Sequence, residues 1–273
     1  FDLAVSYIEG GSAYYVHDHV SAAKKAAFIH VDYVQAGYTR RLDKDCYVDF
    51  DRIFAVSDET AGVFAGVYPE CQQKLSVFHN LIDTEAIRQK ALSPAEKSMH
   101  EGIRLLTVGR LTPQKGFDCA VYALKLLLEK QYPVYWYIIG EGPEYGRLTQ
   151  LARSLHVEDH FIFLGMQTNP YPYFKMADFY IHATRFEGKS IAIQEAQVLG
   201  CAIAASDCSG NREQIVSGVD GLLCPFSPEG IANAVEYLIE HPQTAESFGR
   251  EAAQKACHFE NDIHMIRDLL YLP

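Results

Sequence analysis

Apolar positions along this 273-residue chain follow two rhythms that alternate. Short β-rich runs (DLAVSYI, AAFIHV, DRIFAVS and a briefer KLSVFHN) predict three to four strands within residues 1–82. Further on, IRLLTVGR, VYWYIIG, HFIFLG, ADFYIHA, CAIAAS and GLLCPF predict a second set, separated by helical stretches such as FDCAVYALKLLLEK. More helices are expected near 228–240, 244–256 and 260–271. Strands that alternate with helices in this way predict an α/β protein with parallel sheets. Between the two sets lies the polar segment HNLIDTEAIRQKALS, in which Asn80-Leu81-Ile82-Asp83 closes a strand and Asp83 or Thr84 can cap a helix. The boundary is therefore placed at residues 82 and 83. No internal repeat or low-complexity tract interrupts the pattern.

Two local features carry chemistry. In FEGKSIAIQEAQVL, Glu187 and Glu195 stand with seven residues between them at a loop-to-helix junction. If the helix starts near Ser190, Glu195 falls one turn from Ile191 and Leu199, on an apolar stripe shared with Val198. A carboxylate on such a stripe needs a protein cation or a ligand bearing hydroxyl groups. The second feature is that three strands run into glycine: Gly109-Arg110, Gly140-Glu141 and Gly165-Met166. At the carboxyl ends of parallel strands, glycines and helix N-termini suit phosphate.

The run from about Ile103 to Leu238 resembles the nucleotide-sugar domain of family four retaining glycosyltransferases of the GT-B fold. VGRLTPQKGFD, IIGEGPEYGRL, FIFLGMQTNP and the pair Glu187/Glu195 match in order, followed by LGCAIAASDCSGNREQI and GVDGLLCPFSPEGIANAV. Single motifs such as EGP are weak, whereas the ordered series is specific. The resemblance implies two Rossmann-like domains: 1–82 on the acceptor side, 83–257 for the nucleotide sugar, and a helix in 258–273 that returns to the first domain. It also implies that the N-terminal domain is incomplete, because the family's glycine-rich loop has no match.

From the residues alone, Arg110 and Lys115 read either as phosphate ligands across one loop or as two solvated cations. The resemblance assigns them to the donor diphosphate. It likewise assigns Glu195 to the ribose hydroxyls, Glu187 to the donor sugar, Glu141, Gly165 and Met166 to the nucleotide side, and the backbone of Gly188, Lys189, Ser190 and Ile191 to the phosphates. Lys189 departs from the family's more frequent apolar or aromatic residue and reads equally as a solvated loop cation. His30 closes a strand, where a lone histidine is more often structural; the resemblance makes it a contact of the donor sugar. The catalytic set is then Glu187, His30, Arg110 and Lys115. His182 reads as a core or supporting residue, and Ser57 as a helix cap or a lining of the acceptor region. His17 and His19 lack a third ligand, and no metal or other cofactor is expected.

A formal charge of −11 argues against a nucleic-acid partner, whose polyphosphate calls for a basic protein surface, and leaves room for a local basic pocket. Seven cysteines without a C-x-x-C pattern read as reduced packing residues of a cytoplasmic protein. No apolar run nears the ~18 residues of a membrane span. The resemblance implies a UDP- or GDP-sugar donor and a glycan or lipid-linked acceptor, and leaves peripheral association with the inner face of the membrane open. The segment FIHVDYVQAGY is similar to bacterial members that build cell-surface polysaccharides. The other reading is a non-catalytic nucleotide-sugar-binding subunit of a split glycosyltransferase.

Overall fold

The computed structural model describes residues 1–259 and 262–271. The chain divides into two compact units, the first comprising Phe1–Leu81, Phe186–Lys189 and the described part of 260–273, the second Ile82–Arg185 and Ser190–Phe259. The α/β expectation with parallel sheets holds in both.

The first unit runs β1 (Leu3–Ser6), α1 (Gly11–His19), β2 (Lys24–Ile29), α2 (Arg40–Asp43), β3 (Arg52–Ala55), α3 (Asp58–Val67) and β4 (Leu75–Val77). Its four strands pair in sequence order, all parallel. One face packs on Tyr33, Tyr47, Phe64 and Tyr68, around the buried carboxylate of Asp43. Hydroxyls of Tyr14, Tyr33 and Tyr68 all donate to it, so the charge is satisfied without a cation. Strand β4 stops at Val77, short of the Asn80 expected to end it, and Asn80 is a buried loop residue.

The second unit runs α4 (Thr84–Lys90), β5 (Ile103–Val108), α5 (Phe117–Glu129), β6 (Val134–Ile139), α6 (Tyr145–Ser154), β7 (Phe161–Gly165), α7 (Tyr171–Met176), β8 (Phe179–His182), α8 (Ile191–Val198), β9 (Ala202–Ser206), α9 (Ser209–Arg212), β10 (Leu222–Cys224), α10 (Pro228–Glu240) and α11 (Pro242–Ala256). Asp83 caps α4, its carboxylate accepting from the amide of Ala86 at 2.9 Å. The sheet order is β10-β9-β8-β5-β6-β7, all parallel. After β7 the chain crosses back to the other side of β5, so the topological switch point lies between β5 and β8, where open parallel sheets bind ligands. Trp136 is fully buried, and its indole donates to Thr107, whose hydroxyl in turn donates to the carbonyl of Ile181 at 2.6 Å. That chain locks β6, β5 and β8 together beneath the switch point. The remaining helix, α12 (Ile263–Tyr271), covers the other face of the first sheet, with Leu269 against Phe28, Phe54 and Phe78.

Of the seven cysteines, all free, five are buried as expected of packing residues, but Cys208 is half-buried and Cys257 exposed.

Candidate functional site

In the second unit the loop after β5 is built around one glycine. Pro113–Lys115 forms a single 3₁₀ turn that ends in Gly116, whose φ of +63° opens α5. A β-carbon there would stand 2.3 Å from the carbonyl oxygen of Ala183 and 2.6 Å from the Phe226 ring. The loop is clasped from β8: the amide of Arg185 and the hydroxyl of Thr184 donate to the carbonyl of Gln114, and the Arg185 guanidinium donates to Pro113 and grips Asp118 at 2.8 and 3.0 Å. This fixes Lys115, whose aliphatic stem passes alongside Gly109 at the end of β5. Arg110 follows Gly109 directly, is exposed, and makes no ion pair among the described residues. Both cations thus sit on the loop that leaves β5, at the switch point.

The strand-end glycines divide into two kinds. A β-carbon on Gly140 would meet the carbonyl oxygen of Gly109 at 2.0 Å, and one on Gly142 that of Leu111 at 2.3 Å. Those two glycines therefore let the loops after β5 and β6 touch each other. Gly165, at φ +74°, has nothing within 4 Å of such a carbon. It lines a cleft of about 520 Å³ with Gly140, Glu141, Gly142, Tyr145, Phe163 and Leu164. That volume is within the range of small-molecule sites. Glu141 is exposed, and Met166, just beyond the cleft, is 71% exposed.

Helix α8 begins where expected, with Ser190 as its cap, but the Ser190 hydroxyl is occupied in accepting from the amide of Ile193. The amides of Ile191 and Ala192 remain without a helical acceptor. The stripe expectation for this helix is corrected. Its core-facing residues are Ile193, Gln194, Ala196, Gln197 and Val198, whereas Ile191 is 49% exposed and Glu195 lies half-buried at the margin. Nor is the partner of Glu195 a cation. The Tyr171 hydroxyl donates to Glu195 Oε1 at 2.9 Å. Burial pushes the Glu195 carboxyl above the ordinary carboxylate range, while the Tyr171 hydrogen bond draws it back.

The segment carrying Glu187 belongs to the first unit. A β-carbon on Gly188 would stand 2.1 Å from the carbonyl oxygen of His30, and the Asn80 amide donates to the carbonyl of Lys189 at 3.2 Å. Glu187 itself is 8% exposed. His30 follows β2, and its amide donates to the buried carboxylate of Glu9 at 2.8 Å, with Nδ1 of the ring 3.8 Å from the same oxygen. Burial holds the imidazole below its usual pKa, against the pull of Glu9. The ring lies against Tyr7 and Phe28. The structure thus gathers His30, Glu187, Gly188 and Lys189 in the first unit, and Arg110, Lys115, Glu141, Gly165, Met166, Ser190, Ile191 and Glu195 in the second.

Elsewhere, the ring nitrogens of His17 are engaged by Asp18 and Asp49 at 2.6 and 2.8 Å. Among the described residues no three His, Cys, Asp or Glu side chains form a metal-holding group. Ser57 caps α3, accepting from the amide of Thr60 at 3.1 Å. His182 lies in the core of the second unit. Sequence reasoning missed Arg185, Tyr171 and Glu9. Arg185, a cation at a strand end two residues before Glu187, offered a signal of the same kind as Arg110; nothing in the pattern aims Tyr171 at a residue on the next helix.

Residues 88–255, more than half of the chain, match the family model for glycosyl transferases group 1. A Campylobacter jejuni N-acetylgalactosamine-N,N′-diacetylbacillosaminyl-diphospho-undecaprenol 4-alpha-N-acetylgalactosaminyltransferase is 30% identical over 200 residues, 72% of this chain and 53% of that protein. The chain spans about half the length of such relatives. Among solved structures, a glycosyltransferase from Rickettsia africae superposes with a TM-score of 0.80 at 17% identity, covering 100% of this chain and 78% of that one. Anabaena HepE, solved with UDP-glucose, gives 0.77 at 18% identity, covering 90% and 71%. At such identities these two likenesses speak for the fold, which is GT-B. Among the described residues no helix is long and apolar enough to cross a membrane. The family match over more than half its length places the chain among the glycosyl transferases group 1.

Proposed function

We propose that the protein transfers a sugar from a UDP- or GDP-sugar to a hydroxyl of a glycan or lipid-linked acceptor, with retention at the anomeric carbon. The observation that carries the reading is the set of groups at the carboxyl ends of β5 to β8. Arg110 and Lys115 share one clasped loop, an open cleft begins at Gly165, and α8 begins with amides that have no helical acceptor, one turn before Glu195. Cations and a helix N-terminus suit a diphosphate, a cleft of this size suits a base, and a half-buried carboxylate suits a ribose diol. The relative named above takes a lipid diphosphate acceptor by its name, and HepE was solved with UDP-glucose, which is consistent with this donor and acceptor pair.

In the proposed step, the acceptor oxygen forms a bond to the anomeric carbon as the bond from that carbon to the diphosphate oxygen breaks. The acceptor proton passes to the departing diphosphate on the same face of the sugar. Arg110 and Lys115 stabilise the charge that develops there. In the same reading His30 and Glu187 contact the donor sugar, and the backbone of Gly188, Lys189, Ser190 and Ile191 faces the diphosphate. Cytoplasmic placement in polysaccharide or glycoconjugate assembly, at the inner face of a membrane, belongs to the same reading.

Release of free UDP or GDP from a panel of nucleotide sugars, measured with and without a glycan or lipid-linked acceptor, is the direct test. Acceptor-dependent release is expected. Tight nucleotide-sugar binding with no release under any pairing supports the non-catalytic subunit instead. The same assay in excess EDTA should retain most of the rate, because two protein cations and a helix N-terminus neutralise the diphosphate where other transferases use a divalent ion. Complete loss in EDTA, restored by Mg²⁺ or Mn²⁺, would overturn metal independence.

A further inference from the structure

We propose that Tyr171 is a positioning residue that sets Glu195 for recognition of a ribose diol, and so contributes to discrimination between ribonucleotides and their deoxy forms. The inference rests on the reading of Glu195 as the ribose acceptor. Glu195 leaves α8 half-buried at the margin of the helix, a place where a carboxylate has several rotamers and a tendency to take up a proton. The Tyr171 hydroxyl donates to Oε1 at 2.9 Å, the only side-chain hydrogen bond to this carboxylate among the described residues. A carboxylate offers about four lone-pair positions, so this bond removes one and leaves enough for two vicinal hydroxyls.

The donor is itself fixed. The Tyr171 ring packs beside Ile87, Val198 and Ala256, and its backbone amide donates to Asn169 Oδ1 at 3.4 Å. Asn169 Nδ2 in turn donates to the carbonyl of Lys90 at 2.9 Å, tying the start of α7 to the end of α4. The phenol is therefore aimed by packing, not by the ligand. It serves Glu195 in two ways: it selects one rotamer, and it favours the ionised form that accepts both hydroxyl protons. Phenylalanine at the same position keeps the packing and loses only this bond.

The experiment is calorimetry on the whole protein with UDP and GDP, each against its 2′,3′-dideoxy counterpart, for the unsubstituted protein, Tyr171→Phe and Glu195→Gln. The unsubstituted protein should prefer the ribonucleotide by roughly tenfold or more, and Glu195→Gln should bring the ratio close to one. Tyr171→Phe should reduce the ratio about threefold or more while the dideoxy nucleotide binds as before, since that ligand makes no use of the carboxylate. A ratio in Tyr171→Phe equal to that of the unsubstituted protein, or an equal weakening of both ligands, overturns the role of Tyr171 while leaving Glu195 in place. A ratio that survives Glu195→Gln, or no binding of either ribonucleotide, removes the ribose reading and the inference with it.

Discussion

On the proposed reaction, alanine at Lys115 or at Arg110 should lower transfer by about 10²–10³-fold, the loss typical of removing one preorganised group from a site where charge develops. Lys115 is the last residue of a 3₁₀ turn closed by Gly116, and its stem lies along Gly109. Arg110 stands one residue beyond that glycine on the exposed side of the same loop. The loop that carries both is held at Gln114 and Pro113 by Thr184 and Arg185, which also grips Asp118 at the start of α5. Their shared target should therefore be one diphosphate. Binding of UDP or GDP should weaken by tenfold or more in each variant, while binding of uridine or guanosine stays within about twofold. The double variant should lose less than the product of the single losses, because two charges on one anion do not act independently. If the nucleoside and the diphosphate weaken together, the residues support the loop alone and the phosphate assignment fails.

The fold was legible because strand and helix rhythms in this chain are regular. IRLLTV, VYWYII and FIFLG are apolar runs bounded by glycine, and each is a strand within a residue or two of its expected limits. Of the site, the stretch linked to local backbone geometry was the readable one: the helix start expected near Ser190 is where α8 begins, since serine caps a helix by local preference. What was not legible depends on contacts across sequence. Periodicity placed Glu195 on a core stripe, but the stripe of α8 is rotated so that two glutamines and Val198 face inward and Ile191 faces out. Composition gave no reason to expect that its partner would be a phenol 24 residues upstream. The glycines after β5 and β6 were equally ambiguous, since approach to a phosphate and approach to another backbone demand the same residue. The 2.0 Å and 2.3 Å clearances at Gly140 and Gly142 show that contact between the two loops by itself demands glycine at both positions.

Gly116→Ala should be strongly damaging to the second unit. At φ +63° an alanine already meets a conformational cost of about 1–3 kcal/mol. The added carbon would also lie 2.3 Å from the carbonyl oxygen of Ala183, a backbone atom, and 2.6 Å from Phe226, whose ring carries the Arg185 guanidinium at 5.0 Å. Relief requires the exit of β8 or the start of α5 to shift, and either shift moves Pro113–Lys115. Stability and diphosphate affinity should therefore fall together. Gly165→Ala separates the two contributions to the stability loss. Gly165 has a similar φ of +74° but no heavy atom within 4 Å of the added carbon, so it meets the conformational cost alone. Chemical denaturation of both variants should show Gly116→Ala less stable than Gly165→Ala by about 1 kcal/mol or more, a gap in keeping with overpacking against backbone. Equal losses would mean that the neighbours of Gly116 yield without cost, and that the loop bearing Lys115 is not held by the contacts described above.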